Sequence, residues 1–93
     1  MTGPLISPTV GRTVLYWPRK GAAFNVKDKS QPLYANVVFV HNDRLVNLYV
    51  IDHAGNPQAR LRVKLLQEDD VASEGEDYCT WMPYQLKMAQ QNG

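Results

Sequence analysis

The sequence predicts an all-β protein: a small five-stranded barrel of the SH3-like or OB-like type, with a long first loop and flexible termini. Three observations carry this prediction. Five short runs are rich in β-branched and aromatic residues, which are typical of strands. Clusters of Gly, Pro, Asn and Asp separate several of these runs, as turns do. The chain has only 93 residues, enough for one small barrel. A two-sheet sandwich is the alternative.

Size and charge limit the functions to be considered. We expect residues 1–93 to form a single domain that is only modestly stable alone, for which oligomerisation is a common remedy. The net charge of +1 argues against binding of long nucleic acid, which requires a basic face. A small anionic ligand held by two or three arginines remains compatible with this charge.

The chain shows no sign of secretion or membrane insertion. A single cysteine allows no internal disulfide and favours a reducing compartment. Residues 1–10 lack the basic start and apolar run of a signal peptide. The longest apolar runs, 35–40 and 45–51, are too short to span a bilayer. We therefore expect a soluble, cytoplasmic protein.

Three regions are expected along the chain. Residues 1–10 contain two prolines and a glycine and are predicted to form an extended arm. Residues 11–85 form the barrel core, and residues 86–93 are predicted to be a frayed tail because they are too short to hold a helix alone. The predicted strands are 12–17, 33–41, 45–52, 58–66 and 78–82.

Two strands have distinct face patterns. The run 33–41 is nearly all apolar, which predicts burial of both faces, as at the centre of a small barrel or at an oligomer interface. In the run 58–66, strict alternation places Arg60 and Arg62 on a solvated face, whereas Leu61 and Val63 face the core.

The first loop, residues 18–32, is long and basic. It carries Arg19, Lys20, Lys27 and Lys29 against one acid, Asp28. One interpretation is a mobile, solvated excursion, and the other is a basic flap over a ligand. The connection 67–77 is acidic and polar, which predicts a mobile loop.

Catalytic and metal chemistry find no support in the sequence. His41, His53 and Cys79 occur without the spacing of a zinc site, and the acidic connection lacks a calcium-loop pattern. Cys79 lies within an apolar run, which favours a core residue over a nucleophile. We therefore predict no catalytic residues, no metal and no cofactor.

Aromatic and arginine residues are the candidates for ligand binding. Trp17 and Trp81 each precede a chain-stopping proline within two residues, which predicts rings at barrel rims together with Tyr84. Such rings stack planar ligands, and arginines pair with phosphates. The predicted ligand-binding residues are Trp17, Asn47, Arg60, Arg62, Trp81, Tyr84 and Arg44, with Asn47 contacting a ribose or base edge. Peptide or protein binding would use the same residues.

Several motifs together resemble a group of small accessory proteins from tailed bacteriophages. They are Gly-Arg-Thr-Val-Leu-Tyr at 11–16, Pro-Leu-Tyr-Ala at 32–35, Val-Asn-Leu at 46–48, Asp52 with Gly55, and Tyr-Cys-Thr-Trp-Met-Pro-Tyr-Gln at 78–85. The last motif is the most specific. The resemblance covers residues 11–85 and implies a phage-encoded β-barrel protein that acts in the host cytoplasm.

The resemblance and the candidate residues lead to one functional hypothesis and two alternatives, and a hydrolase that uses Cys79 and a histidine is a further hypothesis. The leading hypothesis is a non-enzymatic, homo-oligomeric sponge that sequesters a nucleotide-derived immune signal of the host. The alternatives are a protein-binding inhibitor of a host defence protein and a minor virion component. The leading hypothesis names a small nucleotide-like ligand and a second copy of the chain as partners, and neither long nucleic acid nor a membrane.

Overall fold

The computed structural model describes residues 5–67 and 70–92. Its five strands close into one barrel in sequential order, which confirms the predicted all-β fold class. This sequential strand order differs from that of the OB-fold, which contains a Greek-key connection. The strands form one closed sheet, so the fold is not a two-sheet sandwich. The elements are β1 (Thr13–Trp17), β2 (Leu33–Asn42), β3 (Leu45–Ile51), β4 (Pro57–Leu66), β5 (Tyr78–Thr80) and α1 (Pro83–Asn92).

An odd number of strands determines how the barrel closes. Strands β1 to β4 pair consecutively in antiparallel fashion, and β5 is antiparallel to β1. Strand direction cannot alternate all round a ring of five, so one neighbouring pair must be parallel. This pair is β4 with β5, and it is short, from Lys64 opposite Tyr78 to Leu66 opposite Thr80.

The register defines two ends of the barrel. At the loop end, Trp17 pairs with Tyr78, and Ile51 pairs with Pro57. At the helix end, Asn42 pairs with Leu45 and Leu66 with Thr80. Between the two ends, every strand contributes to one apolar interior, which is the core. The buried hydrophobic residues are Val14, Tyr16, Leu33, Ala35, Val37, Val46, Leu48, Val50, Val63, Leu65, Cys79 and Trp81.

Burial of both faces of the second strand at the centre of the barrel, one of the two predicted explanations of its apolar pattern, is wrong; burial of one face at an oligomer interface stays a prediction. Leu33, Ala35 and Val37 are buried, but Tyr34 is 47% and Phe39 52% exposed. A register shift between Val37 and Phe39 interrupts the alternation and turns Phe39 outward. Only one face of β2 therefore belongs to the core.

The predicted faces of β4 are also wrong over its first half, because a bulge changes their phase. Val46 pairs with Val63, but the next buried residue of β3, Leu48, pairs with Arg60. Directly opposed residues share a face, so Arg60 points into the barrel. Leu61 is 69% exposed instead of buried.

Within this bulge, the backbone of Arg62 has a left-handed conformation, with φ of 56°. Its backbone N–H donates to Asn47 Oδ1 at 2.8 Å. A left-handed conformation costs a side-chain-bearing residue about 1–2 kcal/mol. The bulge is therefore strained at this position and is held by a bond from β3.

Substitutions at Arg62 should reveal that strain. We expect Arg62→Gly to keep or slightly raise the free energy of unfolding, because the relieved strain exceeds the roughly 0.5–1 kcal/mol that glycine adds in unfolded-state entropy. We expect Arg62→Val to lower it by about 1–2 kcal/mol, because β-branched residues resist positive φ. Urea denaturation measures both, and equal stability of the two variants would contradict the assignment.

The prediction of a frayed tail at residues 86–93 is wrong for its described part, since α1 runs from Pro83 to Asn92. Pro83 occupies the first helical position, where a missing N–H costs nothing. The Gln85 side chain accepts from Met82 N at 2.8 Å and donates to Thr13 O at 3.0 Å. The first bond caps the helix as the third residue of a capping box does. The second bond ties the helix to β1.

The amino-terminal arm lies along its own barrel from Leu5 onward. Gly11 N donates to Val37 O at 2.7 Å, and Ile6 packs against the core at the helix end. The part of the predicted arm at residues 1–4 lies outside the described residues.

Gln67 fixes the arm in this position and is itself only 2% exposed. Its amide oxygen accepts from Ile6 N at 3.0 Å and from Trp81 Nε1 at 3.1 Å. Its amide nitrogen donates to Ile6 O at 2.6 Å and to Asp43 O at 2.8 Å. A residue predicted to begin a mobile loop instead joins three separate chain segments. Residues 68 and 69 of that loop lie outside the described part.

Candidate functional site

A pocket of about 560 Å³ opens at the loop end of the barrel. The end of β1 forms one side of it and the first loop forms the rest. Its lining combines two aromatic rings with three cationic side chains. The lining residues are Trp17, Pro18, Arg19, Lys20, Gly21, Ala22, Phe24, Val26, Lys29 and Gln31.

The first loop is held against the turn between β3 and β4. Asn25 N donates to Asp52 Oδ2 at 3.2 Å, and His53 N donates to Asn25 O at 3.0 Å. Lys27 N donates to His53 Nδ1 at 2.9 Å. The middle of the loop thus follows a defined path across the loop end. His53 accepts a loop N–H here, so it serves as a structural anchor.

Phe24 is the side chain that the loop inserts towards the core. Its ring lies 5.4 Å from the Tyr16 ring, centroid to centroid. The Arg60 guanidinium carbon lies 4.8 Å from the centre of the Phe24 ring, a cation–π distance. Val26 also packs against the core. The loop therefore closes the barrel with apolar groups and exposes its cations on the pocket side.

A polar cluster lies behind Phe24. The Tyr16 hydroxyl donates a short hydrogen bond to Asp77 Oδ2. Burial, and then the neighbouring Asp77 carboxylate, raise the pKa of Tyr16, while the Arg60 guanidinium acts in the opposite direction. Arg60 Nε is buried and has no hydrogen-bond partner within the described residues. The cluster accounts for the inward position of an arginine that the sequence predicted to be solvated.

The charge of the pocket lining is positive. Arg19, Lys20 and Lys29 line it, and none of the carboxylates in residues 5–67 and 70–92 does. The nearby Asp28 is occupied by its own turn, because it accepts from Ser30 N at 2.9 Å and from Ser30 Oγ at 2.7 Å. These bonds from Ser30 lower the pKa of Asp28. The pocket therefore favours an anionic ligand.

Trp17 is the one predicted stacking residue that lies at this pocket. Its ring stacks on Tyr78 at 6.3 Å with an angle of 19° between the planes. Its Nε1 donates to Thr80 Oγ1 at 3.2 Å. These contacts on β5 fix the orientation of the ring beside the pocket.

The other predicted aromatic residues do not join it. Trp81 is only 3% exposed and belongs to the core at the helix end, so its predicted role in stacking a ligand is wrong. Its ring fills the interior where β5 ends, and Gln67 satisfies its N–H. Tyr84 is 70% exposed on the first turn of α1, also at the helix end. Neither residue lines the pocket beside Trp17.

The predicted polar residues are distributed in the same way. Arg44 lies at the helix end, where its Nε donates to Asp70 Oδ2 at 2.9 Å. Asn47 and Arg62 lie on the outside of the barrel at the β4 bulge. Asn47 Oδ1 accepts from His41 Nε2 at 3.0 Å as well as from Arg62 N, so it has a structural role. Of the predicted residues, only Trp17 and Arg60 share the loop end.

In residues 5–67 and 70–92, no side chains are arranged as a metal site or as an activated nucleophile. No group of three or more His, Cys, Asp or Glu side chains there is placed to hold a metal ion. Cys79 is buried, and burial together with the Asp77 carboxylate raises the pKa of its thiol to about 12. The thiolate needed for nucleophilic attack is therefore disfavoured at neutral pH.

The same shift should make the fold sensitive to alkali. Below pH 9 the Cys79 thiol is protonated in both states; above it the unfolded chain releases the proton and the folded chain keeps it. Well above pH 9, the free energy of unfolding therefore falls by about 1.4 kcal/mol per pH unit because of this group. The raised pKa of Tyr16 acts in the same direction at higher pH.

We expect the free energy of unfolding to fall by about 1 kcal/mol between pH 9 and pH 10 because of Cys79, since the thiol of the unfolded chain is only half deprotonated at pH 9. Cys79→Ser, whose hydroxyl does not titrate there, should show a flatter profile from a lower starting value. Urea midpoints at pH 8, 9 and 10 provide the comparison. Parallel profiles of the two proteins would contradict the role of the thiol.

Several pocket residues escaped the site prediction. Phe24, Lys29 and Gln31 lie in a loop without periodicity, so no pattern assigned them a face. The excess of cations in residues 18–32 was the available signal, and the interpretation of that loop as a basic flap is the one the pocket favours.

No described helix is long and apolar enough to cross a membrane.

Comparison with known proteins adds no further constraint on the site. No family model matches the sequence, and no curated protein or solved structure matches it significantly. The pocket lining therefore provides the main evidence for the ligand class.

Proposed function

We propose that this protein binds a small nucleotide-like ligand in the pocket at the loop end and releases it unchanged. One observation carries the proposal: two aromatic rings and three cations line one concavity of about 560 Å³, and no carboxylate of the described residues lines it. Small-molecule sites are typically concavities of about 300–1,000 Å³ with a few convergent polar groups. This pocket has the size of a nucleotide site.

The ligand class follows from the chemistry of the lining. Trp17 and Phe24 offer aromatic surface to a planar base. Arg19 provides a planar, bidentate partner for phosphate, and Lys20 and Lys29 provide compact positive charges. Three cations suit a ligand with two or more phosphate charges. The ligand that best fits is thus a dinucleotide, a cyclic dinucleotide or a nucleoside diphosphate conjugate.

Binding without turnover is the second part of the proposal. Among the residues that the structure describes, no His, Asp, Glu or Cys lines the pocket, and these are the groups that most often serve as general bases or nucleophiles. In the setting implied by the resemblance to phage accessory proteins, such binding would sequester a nucleotide-derived signal in the host cytoplasm. A homo-oligomer would carry several such pockets at once.

Equilibrium dialysis against ADP-ribose and a cyclic dinucleotide tests the proposal. We expect retention of at least one probe at micromolar protein, and recovery of the intact probe after the protein is denatured. No retention of either probe would contradict the proposed function. Recovery of a cleaved or rearranged probe would instead identify an enzyme.

A further inference from the structure

The outer face of the β2–β3–β4 sheet exposes several large apolar side chains side by side. Tyr34 is 47%, Phe39 52%, Tyr49 44% and Leu61 69% exposed. The register makes them neighbours, because Tyr49 lies between Asn36 of β2 and Ala59 of β4, and Phe39 lies beside Asn47 of β3. We call this surface the outer face; it comprises Tyr34, Asn36, Phe39, Asn47, Tyr49, Ala59 and Leu61.

Two bulges are responsible for the apolar character of this face. With regular alternation from Val37, the next inward residue of β2 would be Phe39, and with alternation from Val63 it would be Leu61 on β4. The register shifts in β2 and β4 turn both residues outward instead. Each shift removes a large apolar side chain from the core, where burial is worth about 1.5–3 kcal/mol. Two such losses on one face indicate that the face is covered by another surface.

The charge pattern favours a second copy of the same chain. The outer face contains no carboxylate, ammonium or guanidinium group, and its polar members are amides and tyrosine hydroxyls. A twofold interface brings a surface against itself, so it must be self-complementary. Neutral amides and hydroxyls pair with their own kind, whereas charged side chains of one sign repel each other. Two further polar residues adjoin the face: Arg62 N and His41 Nε2 both bond to Asn47 Oδ1, and both side chains are exposed.

The area is also suitable. Tyr34, Phe39, Tyr49 and Leu61 together expose on the order of 400 Å², given about 200 Å² for a whole aromatic side chain. A standard interface buries about 800 Å² per partner, of which the central part is apolar and the rim polar. The four side chains thus form an apolar surface of the expected size, in which the amides of Asn36 and Asn47 are interspersed.

We propose that two copies of the protein pack through their outer faces, sheet against sheet. The proposal specifies the homo-oligomeric state included in the proposed function and does not depend on the pocket. No residue of the outer face lines the pocket. The dimer therefore leaves both pockets accessible, and each copy binds its ligand independently.

Sedimentation velocity over a range of protein concentrations tests this interface. We expect a dimer at micromolar concentration, and a dissociation constant raised about 100-fold or more by Leu61→Glu, because each copy would bury an unpaired carboxylate in the interface. Phe39→Glu is a second variant on a different strand. Val71→Glu is the matched control, since Val71 is 86% exposed but lies outside the face. Circular dichroism establishes that each variant is folded.

The outcomes separate the two proposals. A monomeric wild-type protein over the whole range overturns the dimer and leaves the face to a different protein partner. A folded Leu61→Glu variant that dimerises like the wild type overturns the assignment of the face. A monomeric Leu61→Glu variant that retains the nucleotide probe supports the interface and keeps the pocket function separate. Loss of dimer in Val71→Glu as well would show a general charge effect and overturn the assignment.

Discussion

Replacing Gln67 with leucine should lower the free energy of unfolding by about 3 kcal/mol or more. The Gln67 amide makes four hydrogen bonds, to Ile6 N, Ile6 O, Asp43 O and Trp81 Nε1. Leucine has a similar volume but leaves these groups without partners, and each buried unsatisfied group costs about 1–3 kcal/mol. The loss is a large part of the 5–15 kcal/mol typical of a folded domain. Urea denaturation followed by Trp fluorescence measures it.

Gln31→Leu is the matched control for this substitution. Gln31 is exposed and makes one side-chain bond, to Asp28 Oδ2 at 3.2 Å. We expect its loss to change stability by less than about 0.5 kcal/mol, as is usual for surface positions. If Gln67→Leu were as mild as the control, the buried amide would not hold the helix end together.

Reversing two pocket cations should abolish ligand binding without unfolding the protein. We expect Arg19→Glu with Lys20→Glu to weaken retention of the nucleotide probe by at least about 100-fold, because hydrogen bonds to charged groups are each worth about 1.5–3 kcal/mol and reversal adds repulsion. Both side chains are exposed, so the thermal midpoint should change little. Equilibrium dialysis with ADP-ribose or a cyclic dinucleotide provides the measurement.

Arg12→Glu with Lys27→Glu is the control for net charge. It changes the formal charge by the same amount, and Lys27 belongs to the same loop, but neither residue lines the pocket. We expect this variant to retain the probe with nearly wild-type affinity at physiological salt, where distant surface charges are screened. Equal weakening by both double variants would show that overall charge, and not the pocket, attracts the ligand.

Much of the barrel was predictable because each strand has a recognisable pattern in its own local sequence. Alternation and β-branched residues located all five strands, and the prolines and glycines between them located several turns. The errors came from features that depend on the closed sheet. The bulge at Leu61 and Arg62 is stabilised by a hydrogen bond to Asn47 on a neighbouring strand. The local sequence pattern of the fourth strand does not predict that bond.

The candidate site was predicted only in part, for a related reason. Trp17 and the basic loop were identified from composition and position. Trp81 was expected at a rim because Pro83 follows it, but the proline begins α1 and the ring fills the core beneath it. Gln67 was overlooked because a single polar residue next to an acidic loop gives no sign of burial. Its partners lie 14 to 61 residues away in sequence.

The Gln67 amide also determines where the polypeptide enters and leaves the barrel. Ile6 and Trp81 are hydrogen-bonded to the same side chain, so the arm and α1 meet at one point. That point is at the helix end, while the pocket opens at the loop end. A fluorophore, affinity tag or surface tether attached near Ile6 or near Pro83, where α1 begins, will therefore lie at the end of the barrel opposite the pocket. Immobilised protein should present the pocket to solution, which makes surface-based measurement of ligand binding practicable.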